Sequence, residues 1–371
     1  MKLLVVSTAP FIYNDDSVYA YSPYVEELVL WNKYTDSIAF CCPVWANSKG
    51  LLISPLPFSF ERHFRLVDFN LKTTLACSKA FFFLFYNFTV LFKAMLWADH
   101  IHLRCPGNIG LLGCIVQIFF PSKPKTAKYA GNWDPKAKQP WTYKLQQKIL
   151  QNTFLTRNMQ VLIYGAWEGQ TGNCKSFFTA SYYEIEKQDL VVRNLESKIN
   201  FIFVGALVKG KNPLYAIQLV EGLLNRGFNV GLNLYGEGVE RTNLEVYITK
   251  NNLTEIISLK GNQDKATLKK AYQQSHFVVL PSKSEGWPKA IAEGMFWGCV
   301  PIATPVSCVP WMLDYENRGV VLNMDLNVDV LKIADVLQKN SDYKLKQKNA
   351  FDWSRQYTLD VFETEIKKLI V

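Results

Sequence analysis

Short runs of β-branched and aromatic residues alternate along the chain with longer stretches whose apolar positions recur every three or four residues. The runs LLVVS (3–7), SIAFCCPV (37–44), DHIHLR (99–104), KTAKYAG (125–131) and VLIYG (161–165) predict strands, and intervening segments such as YVEELVLWNKY predict helices. Strands that alternate with helices need crossover connections, so the expected class is α/β with parallel sheets. The alternation restarts after the polar segment EIEKQDLVVRNLESK, with FIFVG (201–205), VGLNLYG (230–236), HFVVLP (276–281) and VPIAT (300–304) as strands. Two domains are expected, residues 1–190 and 191–352. The tail WSRQYTLDVFETEIKKLIV carries Tyr357, Val361, Phe362, Ile366 and Leu369 near helical spacing, which predicts a helix over about 353–371.

The 371 residues, 49% of them apolar, suit two medium cores. AFFFLFY (80–86), the longest apolar run, falls short of the roughly 20 residues of a spanning helix. MKLLVVSTAP reads as a first strand, without a secretory apolar region or cleavage site, so the expected location is the cytoplasm. The eight cysteines form no C-x-x-C pair and lie mostly in apolar stretches, which predicts buried free thiols. His100 and His102 sit in the alternating run ADHIHLR, where structural roles on a strand are expected rather than metal ligation.

The net charge of +9 is uneven. Residues 1–185 hold 18 Lys or Arg against 11 acids, and between Lys123 and Lys148 seven lysines meet only Asp134, with Tyr129, Trp133, Trp141 and Tyr143 among them. Such a surface suits an anionic membrane or a phosphate-bearing acceptor, and a solvated lysine-rich face explains it equally well. Nucleic acid is not expected, because no helix-turn-helix, zinc or RNA-binding signature accompanies the charge. The turn after the first strand, STAPFIYNDDS, lacks glycine, which excludes a dinucleotide fingerprint there. No two aspartates stand two apart, so the Asp-x-Asp pair that would hold a divalent ion against a diphosphate is missing.

The most informative stretch is SEGWPKAIAEG, Ser284–Gly294, two residues after the apolar run HFVVLP. Pro288 suits the first position of a helix and Gly298 its end. A strand is therefore expected to pass through a loop into a helix N-terminus, the place where a parallel sheet binds anions such as phosphate. Gly286 allows close approach of the backbone. Glu285 lies in the loop, whereas Glu293 lies about 7 Å deeper by the helical rise, at a depth that suits a ribose diol. FVGALVKGKNP likewise puts Gly205 at a strand end with Lys209 and Lys211 before a helix, and LNLYGEG puts Gly236 and Gly238 at a third strand end.

In VGALVKGK, LYGEG, LKGN, SEGWPKAIAEG and GCVPIATPVSCVPWML, the chain resembles a family 4 glycosyltransferase of the GT-B fold. The resemblance implies two Rossmann-like domains with parallel sheets facing an interdomain cleft, and a last helix that returns to the first domain. It implies that Glu293 binds the nucleotide ribose, that Glu285 lies near the transferred sugar and diphosphate, and that Lys211 neutralises the diphosphate. Gly205, Lys209, Gly236, Gly238, Gly286, Trp287, Pro288 and Lys289 complete the implied donor site. Lys211 and Glu285 are the implied catalytic residues.

The implied reaction is transfer of a sugar from a nucleotide sugar with retention of configuration and without a metal or other cofactor. The acceptor is a saccharide or a lipid-linked saccharide, at the inner face of a bacterial membrane in surface polysaccharide synthesis. Two departures from the family pattern stand out. Ala206 replaces a common arginine, for which Lys209 or Lys289 could substitute. The usual acceptor-side histidine is missing from AKYAGNWDP, which leaves Asn132 or Asp134 in its neighbourhood, with Arg104 a further acceptor-side candidate. A noncatalytic scaffold or sugar-nucleotide-binding subunit, and a GT-B epimerase or phosphorylase, are the alternatives.

Overall fold

The structure, a computed structural model, describes residues 1–14, 17–50, 52–68 and 74–370, the side chains of 74–81 excepted. Cys77, the first residues of AFFFLFY and the Asp15–Asp16 end of the first turn thus lie outside the described residues. The chain divides into two compact units, Met1–Phe177 with Phe362–Val371, and Phe178–Val361.

In the first unit the strands are β1 (Lys2–Val6), β2 (Ile12–Asn14), β3 (Ser17–Tyr21), β4 (Ser37–Pro43), β5 (Ile53–Pro55), β6 (Arg62–Leu66), β7 (His100–Cys105), β8 (Lys125–Tyr129), β9 (Met159–Tyr164) and β10 (Cys174–Phe177). Seven form a parallel sheet in the order β10-β9-β8-β7-β1-β4-β6, while β2, β3 and β5 make a small antiparallel sheet. The helices are α1 (Ser22–Asn32), α2 (Thr74–Trp97), α3 (Asn108–Val116) and α4 (Trp141–Gln151). Alternation along β7 and β8 sends Ile101, Leu103, Cys105 and Ala127 into the apolar core with Leu91, Met95 and Leu112. The opposite face carries His100, His102, Arg104, Thr126 and Lys128, all buried. Trp31 of α1 packs on His102 there, with ring centroids 4.3 Å apart.

The second unit holds β11 (Ile199–Val204), β12 (Val230–Tyr235), β13 (Ile257–Leu259), β14 (Phe277–Leu280), β15 (Val300–Ala303) and β16 (Val320–Val321), parallel throughout in the order β13-β12-β11-β14-β15-β16. Its helices are α5 (Pro213–Leu224), α6 (Arg241–Lys250), α7 (Lys265–Gln274), α8 (Lys289–Phe296), α9 (Val309–Met312), α10 (Leu326–Gln338) and α11 (Asn340–Ser354); α12 (Leu359–Ile370) closes the chain. The central strands β11 and β14 are buried on both faces along their apolar runs FIFV and FVVL, whereas the edge strands β13 and β16 are only partly covered.

The division after Phe177 differs from the expected boundary at residue 190, for a physical reason. The segment from 178 onward is tied to the second unit by Tyr182, which stacks on Phe296, and by Arg193, which donates to the carbonyls of Gln273, Trp297 and Gly298. At the other end the helix expected over 353–371 is interrupted. α11 ends at Ser354, Tyr357 lies in a turn, and the buried Thr358 hydroxyl accepts the N–H of Val361 as α12 begins. From Phe362 the tail belongs to the first unit, where Phe362 packs on Phe177 and Glu363 accepts from Lys33 and Tyr34.

Candidate functional site

Three strand-to-helix loops of the second unit lie side by side, because β12, β11 and β14 are neighbours in the sheet. The loop after β14 leads into α8, whose first residue is Lys289, with Pro288 at the N-cap rather than inside the first turn. Gly298 ends the helix with φ +81°, a left-handed conformation that favours glycine. The N–H of Lys283 donates to the carbonyl of Gly210 at 2.8 Å, which ties this loop to the one after β11. Across that seam the Nζ of Lys211 lies 2.6 Å from Oε1 of Glu285, with the carboxylate side chain 8% exposed and the lysine 31%. Two residues 74 positions apart in sequence are thereby brought into one ion pair at the strand ends. Lys209 and Ala206 are exposed on the same loop.

Glu293, the fifth residue of α8, is sited differently. Its Oε1 accepts the Ser181 hydroxyl at 2.5 Å and its Oε2 accepts the Tyr272 hydroxyl at 3.3 Å. Burial raises its pKa above the ordinary glutamate value, opposed by the Ser181 bond, the charge of Lys289 and the Tyr272 bond. Lys289 and Glu293 stand four apart on one helix face. Together with Ser181, Tyr182, Trp287 and Tyr357 they border a cavity of only about 10 Å³, room for roughly one water. Glu293 is therefore an acceptor of two O–H groups, the pattern that a ribose diol presents, with both donors here supplied by the protein. Trp287 is 6% exposed and packs in an aromatic group with Phe178, Trp311, Trp353 and Tyr357.

The glycines of LYGEG are required by the packing of the two loops on each other. A Cβ on Gly236 would lie 2.0 Å from the carbonyl oxygen of Gly205, and one on Gly238 would lie 2.3 Å from that of Leu207. Backbone packs against backbone here, with the N–H of Leu207 donating to Glu237 and that of Glu240 to Leu207, each at 2.9 Å. Gly205 and its two followers are thus held by the neighbouring loop. Gly286 accepts at its carbonyl from the Ser307 hydroxyl at 3.0 Å.

In the first unit the acceptor-side candidates do not meet at one point. Arg104 is 4% exposed, donates to Glu27 at 2.8 Å and has its guanidinium carbon over the ring of Tyr24, 3.7 Å from the centroid. Lys128 donates to the other oxygen of Glu27 at 2.5 Å. The register of β7 and β8 explains this: Arg104 is directly opposite Lys128, and two buried cations at that spacing need a shared carboxylate. Arg104 accordingly serves in a buried charge cluster instead of reaching out from a strand end. Asn132 and Asp134 shape a turn, the Asn132 side chain accepting the N–H of Asp134 at 2.9 Å and the Asp134 side chain that of Lys136 at 2.8 Å. His100 and His102 both bond the Thr126 hydroxyl. Among the described residues no three His, Cys, Asp or Glu gather as a metal site, and the seven described cysteines are buried and free.

Sequence reasoning missed Glu27, Lys128, Ser181 and Tyr272. Glu27 falls on the buried side of α1 with Leu28 and Trp31, and an acid between apolar neighbours in VEELVLW was the one available signal. Ser181 lies 112 residues from Glu293, and no period or motif links them.

Two parallel α/β sheets, with a closing helix whose end rejoins the first unit, match solved structures along nearly their whole length. The fold is GT-B. Sucrose-phosphate synthase from Thermosynechococcus elongatus aligns over 100% of this chain and 98% of its own with a TM-score of 0.67 at 15% identity. Anabaena HepE, solved with UDP and glucose, aligns over 99% and 98% with a TM-score of 0.67 at 13% identity. Residues 184–352 of this GT-B chain match the family described as glycosyl transferases group 1. An uncharacterized glycosyltransferase of Methanocaldococcus jannaschii is 26% identical over 176 residues, which are 47% of this chain and 48% of the relative. The match thus spans about half the length of that curated relative.

Proposed function

We propose that the protein is a retaining glycosyltransferase that takes a sugar from a nucleoside diphosphate sugar. The observation that carries this reading is the Lys211–Glu285 pair at 2.6 Å, beside the N-terminus of α8. As the bond between sugar C1 and the diphosphate oxygen breaks, negative charge grows on the diphosphate and positive charge on the sugar ring. In this reading Lys211, Lys289 and the N-terminal N–H groups of α8 meet the first, and the Glu285 carboxylate meets the second. Glu293 binds the ribose, whose hydroxyls take over from Ser181. The reading assigns the diphosphate to lysines and backbone and invokes no metal ion. HepE, with its UDP and glucose, makes UDP the first nucleotide to try.

The acceptor in this reading is a saccharide, free or lipid-linked, in bacterial surface polysaccharide synthesis. Peripheral contact with an anionic membrane fits the basic first unit and the exposed rings of Phe82, Phe85 and Phe119, which are 76%, 73% and 60% exposed. No helix among the described residues is long and apolar enough to cross a membrane.

The occupied carboxylate of Glu293 and its small cavity favour one second reading, a noncatalytic GT-B subunit that no longer takes a nucleotide. Calorimetry with UDP, GDP, ADP and their sugars separates the two. Selective binding that is lost in Lys211→Ala and in Glu293→Ala supports the transferase. Absence of binding by every nucleotide sinks it.

A further inference from the structure

The first unit contains a cavity of about 420 Å³ at the edge of its sheet opposite the strand ends that carry Cys105, Tyr129 and Tyr164. His100, Lys125 and Met159, the first residues of β7, β8 and β9, line it, as do Thr156, Arg157 and Lys368. We propose that this cavity is an anion site that takes a phosphate group, either free phosphate or the head of a small phosphate monoester. The proposal is independent of the donor reading above.

Three cations and no carboxylate border the cavity among the described residues. Lys125 is 2% exposed, and its Nζ donates to the carbonyl of Phe120 at 2.6 Å. An ammonium has three donors, and no ion pair forms on Lys125 among the described residues. Burial without a counter-charge lowers its pKa to about 8, which leaves it mostly charged at neutral pH. The Arg157 guanidinium rests on the Phe154 ring at 4.6 Å, is exposed, and likewise pairs with no acid among the described residues. Lys368 shares its charge with Glu365 at 2.7 Å.

The second, independent sign is His100. It is 1% exposed, its Nε2 bonds the Thr126 hydroxyl at 3.0 Å, and its Nδ1 is buried without a partner. A buried polar atom left without a partner is destabilising, so it calls for an occupant. An oxygen acceptor in the cavity selects the tautomer that carries the proton on Nδ1. The Thr126 hydroxyl then donates to His100 Nε2, and His102 Nδ1–H donates to the Thr126 oxygen at 2.8 Å. A phosphate, with several oxygens and up to two charges, matches one imidazole donor and the cations better than a carboxylate does.

The test is titration calorimetry of the full chain with inorganic phosphate, with glucose 6-phosphate and with glucose, combined with the ring NMR signals of His100. The expected result is saturable binding of one or both phosphates, a shifted His100 signal and no binding of glucose. Whichever phosphate binds tighter tells free ion from ester. Affinity should fall about tenfold in Arg157→Gln, an exposed position that leaves folding intact, and further in Lys125→Met. It should be unchanged in Lys211→Ala. Absence of saturable binding by both phosphates overturns the proposal, as does binding that survives Arg157→Gln unweakened or disappears in Lys211→Ala.

Discussion

The two units place charge at the ends of their parallel strands in opposite ways. In the second unit Lys211 and Glu285 sit on loops past the strands, with the lysine partly open to solvent. In the first, Arg104 and Lys128 are still within β7 and β8 and share Glu27 with side chains that are at most 9% exposed. The lysine on a loop several residues past its strand end stays partly open to solvent, whereas charges still inside the strands are sealed under a helix and hold the unit together. Position relative to the strand end decides between recognition and architecture.

The largest effect should come from the sealed cluster. Glu27→Ala removes the carboxylate that Arg104 and Lys128 share and should cost about 3–5 kcal/mol of stability, read by chemical denaturation. A loss below about 1 kcal/mol would mean that the cluster is not what holds this face, and would break the comparison. At the open site the balance reverses. Lys211→Ala should lower the transfer rate about 100-fold, since one preorganised donor contributes about 3 kcal/mol, while changing stability by no more than about 1 kcal/mol. Equal losses of stability and rate would move Lys211 into the architectural class.

Glu293 falls between the classes, and pH sharpens its place. Its folded pKa is raised from 4.5 by burial, so the folded protein holds this proton more tightly than the unfolded chain does. Its contribution to stability is therefore full at low pH and declines as the pH rises from 4.5 through the raised value. Glu293→Gln should remove that decline, visible as a flatter curve of melting temperature against pH on the acid side of neutrality. An unchanged curve would mean that Glu293 is already well solvated. The smallest effect is expected at Asp134, whose side-chain oxygen holds a turn. Asp134→Asn keeps an acceptor for the Lys136 N–H and should leave activity within about threefold and stability within about 0.5 kcal/mol. A 100-fold loss of rate would make it a catalytic residue contributed by the first unit.

Much of the architecture was legible in the sequence. All nine expected strands are present. Runs such as FIFV and FVVL stand out because both of their faces are buried in apolar surroundings, whereas HIHLRC and KTAKY bury a polar face as well and show only through their alternation. The strands that escaped notice are edge or very short elements. RHFRL of β6 is charged because it is an edge, ISL of β13 and VV of β16 carry too few residues for a pattern, and β2, β3 and β5 form a separate antiparallel patch. The helical spacing predicts one tail helix from about residue 353, whereas α12 begins at Leu359, since the Thr358 hydroxyl that accepts the N–H of Val361 starts a new helix within that spacing.

The site divides along the same line. Lys211, Glu285 and the glycines of LYGEG announce themselves through local rules, namely a strand end, a helix start, and a backbone that admits no Cβ. The order of hydrophobic periods, and so the parallel α/β architecture, can likewise be read from the residues in chain order. Only the tertiary structure decided which charges are used up inside. Glu27 meets Arg104 across 77 residues and Lys128 across 101, and Ser181 meets Glu293 across 112. The physical reason is that burial and pairing depend on strand register and on which helix covers which face. Those are set by the packing of whole elements, and beyond an acid set among the apolar residues of VEELVLW they leave little local trace.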